Sequence, residues 1–371
     1  MSTTEMTIVF ILLICIIPVE GIMAALTPWL MKGRELFAVT VPESAQADPR
    51  LRRMKTRYTL VISLFTAVLT ALGVIMMCAD NPDGLFGVIV IGSLLLVACS
   101  FVLMLFFRSK VMRIKQEEGW TAVVQEQVSV TLGEDAPRPL SFKWNLLYAP
   151  VILFTLVFGV ATYSLMPDAV PMQVDFNGNV TTWADKSPLL ILLPVLIQLF
   201  LAAVFMFSHW QILSAKKGSD PEMPVTSTLA YALFARAQST FLVFSGVVTC
   251  ALIFTLPLAQ VGFIAFGQAG ITFVIGIMPI LIGSLAIAIV YGQSGARAIT
   301  RLAQTNEMRY DDDAYWKLGI FYVNPGDVSI FVPERFGIGW TLNFGSKIAW
   351  AIIVAGGLLT VAFLVAIMAM F

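Results

Sequence analysis

Eight long apolar runs constrain this chain more than any other feature. Each is long enough to cross a bilayer, since a helix needs about 20 apolar residues to span the ~30 Å hydrocarbon core. Backbone groups cannot stay unpaired in lipid, and the runs lack the alternation of barrel strands, so helices are the element that fits. The runs are 6–29, 58–78, 85–107, 147–166, 189–207, 240–258, 270–291 and 348–371.

Composition and loop patterns complete the prediction of the fold. Only 12% of the residues are charged, about half of the ~25% usual in soluble domains. We therefore predict an all-α polytopic membrane protein with about eight transmembrane helices and a small cytoplasmic β-containing subdomain. The predicted parts are 1–146 with three helices and two cytoplasmic loops, 147–210 with a helix pair and a proline-rich stretch, 211–291 with helices six and seven, 292–347 with the β pattern, and 348–371 with the last helix.

The basic residues predict how the chain is oriented in the membrane. Of the 23 Lys and Arg, 22 lie in four alternate loops, and the remaining one is Lys186. The positive-inside rule places those four loops in the cytoplasm and both termini outside the cell membrane. The lipid bilayer is thus a predicted partner. Nucleic acid is not a predicted partner, because the basic residues are spread along the membrane edges and do not form a phosphate-binding patch. The four basic loops are 31–57, 108–146, 208–239 and 292–347.

Three of these loops are too long to be simple connectors. Residues 123–133 alternate Val and polar residues, which is typical of a strand. Residues 319–323 and 328–332 flank an Asn-Pro-Gly-Asp turn and are predicted to form a hairpin. The resulting subdomain either binds a partner protein or caps the helices. The consecutive aspartates at 311–313 are expected to be solvated charges, because neighbouring side chains do not converge on a helix.

Glu20 is the one acidic residue deep in an apolar run, between Pro18 and Gly21. The proline and glycine favour a bend in the first helix. An ionisable side chain at this depth indicates a functional site, or else a protonated glutamate bonded to a neighbouring helix. No second acid or lysine lies at similar depth, so a proton relay lacks its other members.

No enzyme, catalytic residue, cofactor or metal site is predicted. The four cysteines lie in apolar runs without paired spacing, and common catalytic motifs do not occur. The only histidine, His209, is expected to pack at headgroup level at the edge of the fifth run. Gln198 is expected to form hydrogen bonds between helices.

A polar stretch, MPDAVPMQVDFNGNVTTWADKSP at 166–188, separates the fourth and fifth runs. Its prolines fix φ angles and its Asn-Gly pair favours a turn, so 173–176 and 179–183 are predicted to pair. Its aspartates could attract a cationic peptide or an ion, and its tryptophan offers an apolar anchor. Alternatively, the stretch is an ordered cap held by Asp–Lys contacts. The predicted ligand-recognition residues are Pro167, Asp168, Pro171, Gln173, Asp175, Asn177, Gly178, Trp183, Asp185 and Lys186.

This stretch resembles the extracytoplasmic motif of a family of bacterial membrane proteins related to the immunity protein against the sporulation-delay toxin. That motif runs L-P-D-x-I-P-x-H-x-N-x-x-G-x-x-D-x-x-x-x-K between two helices. Gln173 stands at the usual histidine position and Asp175 at the usual asparagine position, so a metal or proton role of that histidine does not carry over. The matching residues are Met166-Pro167-Asp168, Val170-Pro171, Asn177-Gly178, Trp183 and Lys186.

Two further segments carry the resemblance. Residues 37–58 are similar to the first cytoplasmic loop of longer family members, and 315–344 to a short domain of unknown function found in many of them. The best-described member protects its producer from a secreted toxic peptide and sequesters a repressor at the bacterial cell membrane. The resemblance therefore implies an immunity or signalling role with a peptide outside and a regulator inside. Alternatives are a transporter or channel-like carrier that uses Glu20, and a membrane-embedded enzyme.

Overall fold

The computed structural model describes residues 3–122, 133, 136–174, 180–217, 223–298, 308 and 310–369. Eight helical stretches in this part of the chain are long and apolar enough to cross a membrane. The prediction of an all-α polytopic membrane protein is confirmed. The helices are α1 Thr3–Ile14, α2 Ile16–Leu30, α3 Pro49–Cys78, α4 Pro82–Glu117, α5 Tyr148–Thr162, α6 Leu189–Ser214, α7 Pro224–Ile253, α8 Thr255–Val261, α9 Phe266–Tyr291 and α10 Lys347–Met368.

The two ends of the bundle differ in charge. We call the basic side the end at which α2 ends and α3 and α10 begin. We call the hairpin side the end at which α5 ends and α6 begins. On the basic side the helices extend beyond their apolar runs. Helix α4 continues to Glu117, past the predicted end of its run at 107, and α7 begins at Pro224, before the predicted start of its run at 240. The end of an apolar run indicates where the hydrocarbon layer ends. The helix itself continues until its backbone hydrogen bonding is interrupted.

Prolines cause the breaks that divide two of the spanning stretches. A proline lacks the N–H that would bond four residues back, and its ring clashes with that carbonyl. Accordingly, α1 ends at Ile14, four residues before Pro18, and α7 ends at Ile253, four residues before Pro257. The first span, where a bend was predicted, is interrupted at Cys15, and Glu20 lies in α2, just beyond this interruption.

The helices pack in two groups. A large apolar core lies among α1 to α4 and includes the fully buried Ile17, Ile62 and Leu96. A smaller core among α5, α6 and α7 centres on Tyr148, which lies against Gly246. Helix α10 is peripheral: its spanning window is not buried at all, although the ring of Phe363 stacks on Phe200 of α6.

Among the described residues, three strand pairs form on the basic side. In one, β1 Glu35–Leu36 pairs with β2 Val39–Thr40. In the second, β5 Trp316–Lys317 pairs with β6 Phe321–Tyr322. In the third, β7 Phe331–Pro333 pairs with β8 Trp340–Leu342. All three pairs are antiparallel, and the last two belong to the segment 310–346, which we call the basic-side unit. The predicted β-containing subdomain therefore exists, but of the predicted strand at 123–133 only Gly133 lies within the described residues.

The predicted hairpin between 319–323 and 328–332 is wrong in its pairing. Residues 324–327 do turn, since the Asp327 N–H donates to the Asn324 carbonyl. However, the Asn343 side-chain amide donates to three carbonyls, of Asn324, Asp327 and Ser329, at 2.9 to 3.1 Å. This side chain occupies the inside of the turn and satisfies its backbone. The two β runs do not pair with each other: Phe321–Tyr322 pairs with Trp316–Lys317, and Phe331–Pro333 pairs with Trp340–Leu342.

The turn between β1 and β2 has an unusual backbone. Phe37 and Ala38 have φ angles of 44° and 59° and are fully buried. A two-residue hairpin turn of this type needs positive φ at both positions, which non-glycine residues seldom adopt. Packing and hydrogen bonds offset that strain. The Phe37 ring stacks on Phe107 at 5.1 Å, and the Ala38 carbonyl accepts hydrogen bonds from Arg108 and Arg335.

A buried ion network holds the basic-side unit to α4. The Lys115 ammonium lies 2.6 Å from a carboxylate oxygen of both Asp311 and Asp313, and the Arg335 guanidinium pairs with Asp312 and Asp313. The expectation that these aspartates are solvated is therefore wrong. Asp311 and Asp312 precede a short 3₁₀ turn that begins at Asp313. The rule against convergence of neighbours applies within a regular helix and not here.

The network also fixes the β1–β2 turn. The backbone N–H and the hydroxyl of Thr40 donate to Asp313 at 3.0 and 2.9 Å, and Arg335 donates to the Thr40 hydroxyl at 2.8 Å. Arg335 is only 3% exposed. Burial lowers the pKa of its guanidinium to about 10, so it stays protonated at neutral pH. A charge this deep is tolerated because carboxylates and backbone acceptors surround it.

Replacing Arg335 will destabilise the protein strongly. Arg335→Met keeps much of the volume but leaves buried carboxylates without their partner, which costs about 3–5 kcal/mol for a buried pair. Thermal unfolding of the purified protein in detergent micelles measures the loss. Arg50→Met is the control: Arg50 pairs with Asp48 and Glu118 on the surface, and such exposed pairs contribute little. Equal melting temperatures for the two variants would contradict a structural role for the network.

Gly319→Ala will also destabilise the basic side. Gly319 has a φ of +75°, and an added Cβ would lie 2.9 Å from the Ala38 Cβ and 3.3 Å from Arg108. Strain of this kind costs roughly 1–3 kcal/mol, measured by the same unfolding experiment. Gly326→Ala is the matched control, because its Cβ would meet Asn324 at 3.4 Å. A neutral Gly319→Ala would show that the two turns can separate without cost.

Candidate recognition site on the hairpin side

A two-stranded hairpin follows α5. Strand β3 Ala169–Val174 pairs antiparallel with β4 Val180–Asp185. The predicted pairing of 173–176 with 179–183 is confirmed for the described residues; β3 begins earlier and β4 ends later than expected. Residues 175–179, which include the predicted Asp175, Asn177 and Gly178, lie outside the described residues.

Prolines shape the entry into this hairpin. Met166 is extended, with φ −66° and ψ 133°, because the residue before a proline is disfavoured in the helical region. Pro167 therefore ends the helix and is itself exposed. Pro171 lies within β3 opposite Trp183, and the register shifts between Pro171 and Gln173. A proline cannot donate to a strand ladder, so an irregularity at this point is expected.

The inner face of the hairpin is anchored by packing. Val170 is fully buried, and it packs with Met166 at the end of α5 and Leu190 at the start of α6. Met172 and Ala184 lie against this cluster. The hairpin is therefore held on the ends of two spanning helices.

Lys186 also anchors the hairpin to the helix end that precedes it. Its ammonium donates to the Met166 carbonyl at 2.7 Å and lies 3.4 Å from the Ser164 carbonyl and 5.2 Å from the Tyr163 ring centre. Its backbone N–H donates to the Asp168 carbonyl at 2.8 Å. A cation that binds the last carbonyls of a helix stabilises that end. The structure thus gives the one basic residue of this stretch a role within the fold of the hairpin.

The outer face of the hairpin carries the exposed predicted residues. Along β4 the side chains alternate, so Thr181, Trp183 and Asp185 point outward, and the indole of Trp183 is 57% exposed. Asp168 is exposed just before β3, where Ala169 pairs with Asp185. Asp168 and Asp185 therefore lie at the same end of the hairpin, and Asp185 shares the outer face of β4 with Trp183, two residues away.

Gln173 lies further along the same element. It is exposed, and its side-chain carbonyl accepts a hydrogen bond from the Thr182 hydroxyl at 3.0 Å. Thr182 alternates with Trp183 along β4, so this amide lies on the other face of the hairpin from the indole.

The outer face combines the Trp183 ring with the Asp185 carboxylate, and Asp168 is exposed at the same end of the hairpin, whereas the ammonium of Lys186 is turned toward the Met166 carbonyl. Such a surface is suited to a ligand that is both cationic and apolar. Among the described residues no three His, Cys, Asp or Glu side chains are grouped as a metal site would need.

The structure does not bring Glu20 to this hairpin. Glu20 is half-buried, about ten residues or ~15 Å of helix from the basic-side end of α2 at Leu30. Its neighbour Gly21 leaves no room for a Cβ against Thr66 of α3. Glu20 thus lies at mid-depth beside a close contact between two helices.

Polar residues inside the second helix group form bonds between helices. The Gln198 amide donates to the Thr155 hydroxyl and to the Cys250 carbonyl, both at 2.8 Å, which confirms its predicted role. His209 was expected at headgroup level but is fully buried. Its Nε2 donates to the Leu140 carbonyl at 3.0 Å, so Nδ1 accepts from the Asn145 amide at 3.0 Å. The segment before α5 folds back over this histidine, which no local pattern revealed.

Two family models match parts of the chain. A domain of unknown function (DUF1648) matches residues 151–197, and a family of unknown function (DUF5808) matches residues 325–350. Both are typical of bacterial membrane proteins. The first covers most of α5, the hairpin and the start of α6; the second covers part of the basic-side unit and the start of α10. Searches of curated proteins and of solved structures found no significant match. The relation to the toxin immunity protein stays a prediction.

Lys186→Met will loosen the hairpin. It removes charge-assisted bonds of the kind that contribute about 1.5–3 kcal/mol, so backbone amides of β3 and β4 should exchange hydrogen on the order of tenfold faster. Hydrogen–deuterium exchange with mass spectrometry measures this. Thr181→Ala, on the exposed face of β4, is the control and should leave exchange unchanged. Unaltered exchange in Lys186→Met would mean that apolar packing alone holds the hairpin.

Proposed function

We propose that this protein is a non-enzymatic membrane protein of the immunity or signalling type. Its β3–β4 hairpin recognises a cationic, amphipathic peptide outside the cell, and its basic side contacts a regulator inside. The observation that carries the proposal is the exposed indole of Trp183 on the same face as the Asp185 carboxylate, with Asp168 exposed at the same end, on a hairpin whose own lysine is turned inward.

The chemistry of that surface supports a peptide ligand. Aromatic side chains supply much of the binding energy in protein interfaces. Carboxylates beside them attract Lys and Arg and select against anionic ligands. The hairpin is already ordered by Val170 and Lys186, so little conformational entropy is lost when a ligand binds.

The distribution of charge supports the proposed orientation. Since 22 of the 23 Lys and Arg lie in the basic loops, the positive-inside rule directs the basic side to the cytoplasm. The hairpin would then face outward, where a secreted peptide arrives. The family resemblance of 166–188 points to the same kind of ligand. The basic-side unit, bound to α4 through Lys115, would be the part that meets a regulator.

Cells expressing the protein should resist cationic antimicrobial peptides that kill control cells. Minimal inhibitory concentrations across a broad panel would rise several-fold for at least one peptide, and Trp183→Ala or the double change Asp168→Asn with Asp185→Asn would abolish the gain. The matched control is Trp144→Ala, since Trp144 is 51% exposed on the basic side. All variants must reach equal amounts in the membrane.

Direct binding separates recognition from other causes of resistance. For a peptide found in the panel, Trp183→Ala should weaken its affinity for the protein in nanodiscs about 30-fold, equivalent to ~2 kcal/mol for a central aromatic contact. The proposal fails if sensitivity is unchanged across the whole panel, or if Trp144→Ala weakens binding as much as Trp183→Ala.

A further inference from the structure

The β5–β6 hairpin of the basic-side unit exposes several large apolar side chains. Leu318 at its tip is 56% exposed, and Phe321 and Tyr315 are each 40% exposed. Its buried side is occupied by Trp316 and Tyr322, whose rings lie 5.1 Å apart. The exposed side chains are therefore not part of the core of the unit. Their exposure is explained by the depth of the hairpin relative to the membrane.

Helix α4 fixes that depth on one side. Arg108 directly follows Phe107, the last residue of the apolar run, so it marks where α4 leaves the hydrocarbon. Its guanidinium lies 3.3 Å from the Trp316 carbonyl, and its side chain lies against Gly319 at the hairpin tip. The tip is therefore level with the exit of α4 from the apolar layer.

Helix α10 fixes the depth on the other side. The Phe321 ring contacts Phe344 at 5.4 Å, and Phe344 contacts Trp350 at 5.9 Å. The Trp350 indole donates to the Phe344 carbonyl at 3.0 Å and is 54% exposed. Trp350 lies one turn into α10, where tryptophan is favoured at the membrane interface. A continuous chain of rings thus connects the hairpin to the lipid belt.

Basic groups lie at the same level. Lys317 is exposed between Tyr315 and Leu318, and Lys347 is exposed at the first residue of α10. Lysines next to an inserted apolar surface are attracted to anionic headgroups by about 1 kcal/mol each. An anionic lipid leaflet therefore matches the surface in both polarity and charge.

We propose that the β5–β6 hairpin is a membrane-binding element of the basic-side unit. Leu318 and Phe321 insert into the boundary between headgroups and acyl chains, and Lys317 and Lys347 contact lipid phosphates. This inference does not depend on the proposed peptide recognition. It means that the unit is held at the leaflet by lipid as well as by the ion network, and that this edge is not free for a protein regulator.

Depth-dependent quenching tests the proposal on the full-length protein. The accessible Cys15, Cys78 and Cys99 are replaced by serine, and the buried Cys250 is retained. An environment-sensitive fluorophore is attached after Leu318→Cys, Phe321→Cys or, as control, Gln116→Cys. Gln116 is exposed on α4, eight residues or ~12 Å beyond Arg108. The proteins are placed in nanodiscs of mixed phosphatidylcholine and phosphatidylglycerol.

Brominated lipid should quench positions 318 and 321 at least about threefold more strongly than position 116, since interfacial elements lie about 5–10 Å into the headgroup boundary. Aqueous iodide should show the opposite order. Quenching by lipid should fall in nanodiscs of phosphatidylcholine alone, and also when Lys317→Gln is added. Elution as a folded species in size-exclusion chromatography is required of every variant.

Two outcomes overturn the proposal. Equal iodide quenching at 318 and 116 would place the hairpin in water. Protection at 318 from both quenchers would mean that protein covers it, either a second copy of this chain or another part of the unit.

Discussion

The carboxylate of Asp313 is the point on which the basic side of this protein depends. One oxygen accepts hydrogen bonds from Thr40 and from Arg335, and the other pairs with Lys115 of α4. Three distant parts of the chain therefore meet at one buried charge. An ion at this depth is stable only when it is paired and hydrogen-bonded. If one of these parts moved away, the remaining buried charges would lose a partner, and their desolvation would no longer be compensated.

Other features of the basic side follow from that network. The strained turn at Phe37 and Ala38 persists because Arg108 and Arg335 bind its carbonyl and aromatic rings enclose its side chain. Gly319 then packs against the same turn, which sets the β5–β6 hairpin beside Arg108, where α4 leaves the apolar run. The level of that hairpin, and with it the proposed contact of Leu318 with lipid, is a consequence of the ion network.

The hairpin side is built on a different principle. There the β3–β4 hairpin is held by apolar packing of Val170 and by one lysine that binds helix carbonyls. The exposed face carries Trp183 and Asp185, and Asp168 is exposed at the same end of the hairpin. The residues that stabilise the hairpin lie on its inner face and the exposed residues lie on its outer face. The outer residues can therefore serve recognition, as proposed, without destabilising the hairpin.

The sequence by itself determined the eight spans, the uneven placement of basic residues, the helix interruption before Pro18 and the hairpin within 166–188. These follow from local chemistry: apolar length, charge count and proline geometry act on neighbouring residues. Only the tertiary structure decided that Asp311, Asp312 and Asp313 are partly buried in ion pairs, that His209 is buried between helices, and that the β runs around Asn324 pair elsewhere. Each depends on a partner far away in the chain, such as Lys115, Leu140 or Asn343. Burial of a polar group is favourable only when such a partner pairs with it. A local sequence pattern does not predict which distant residue will be that partner.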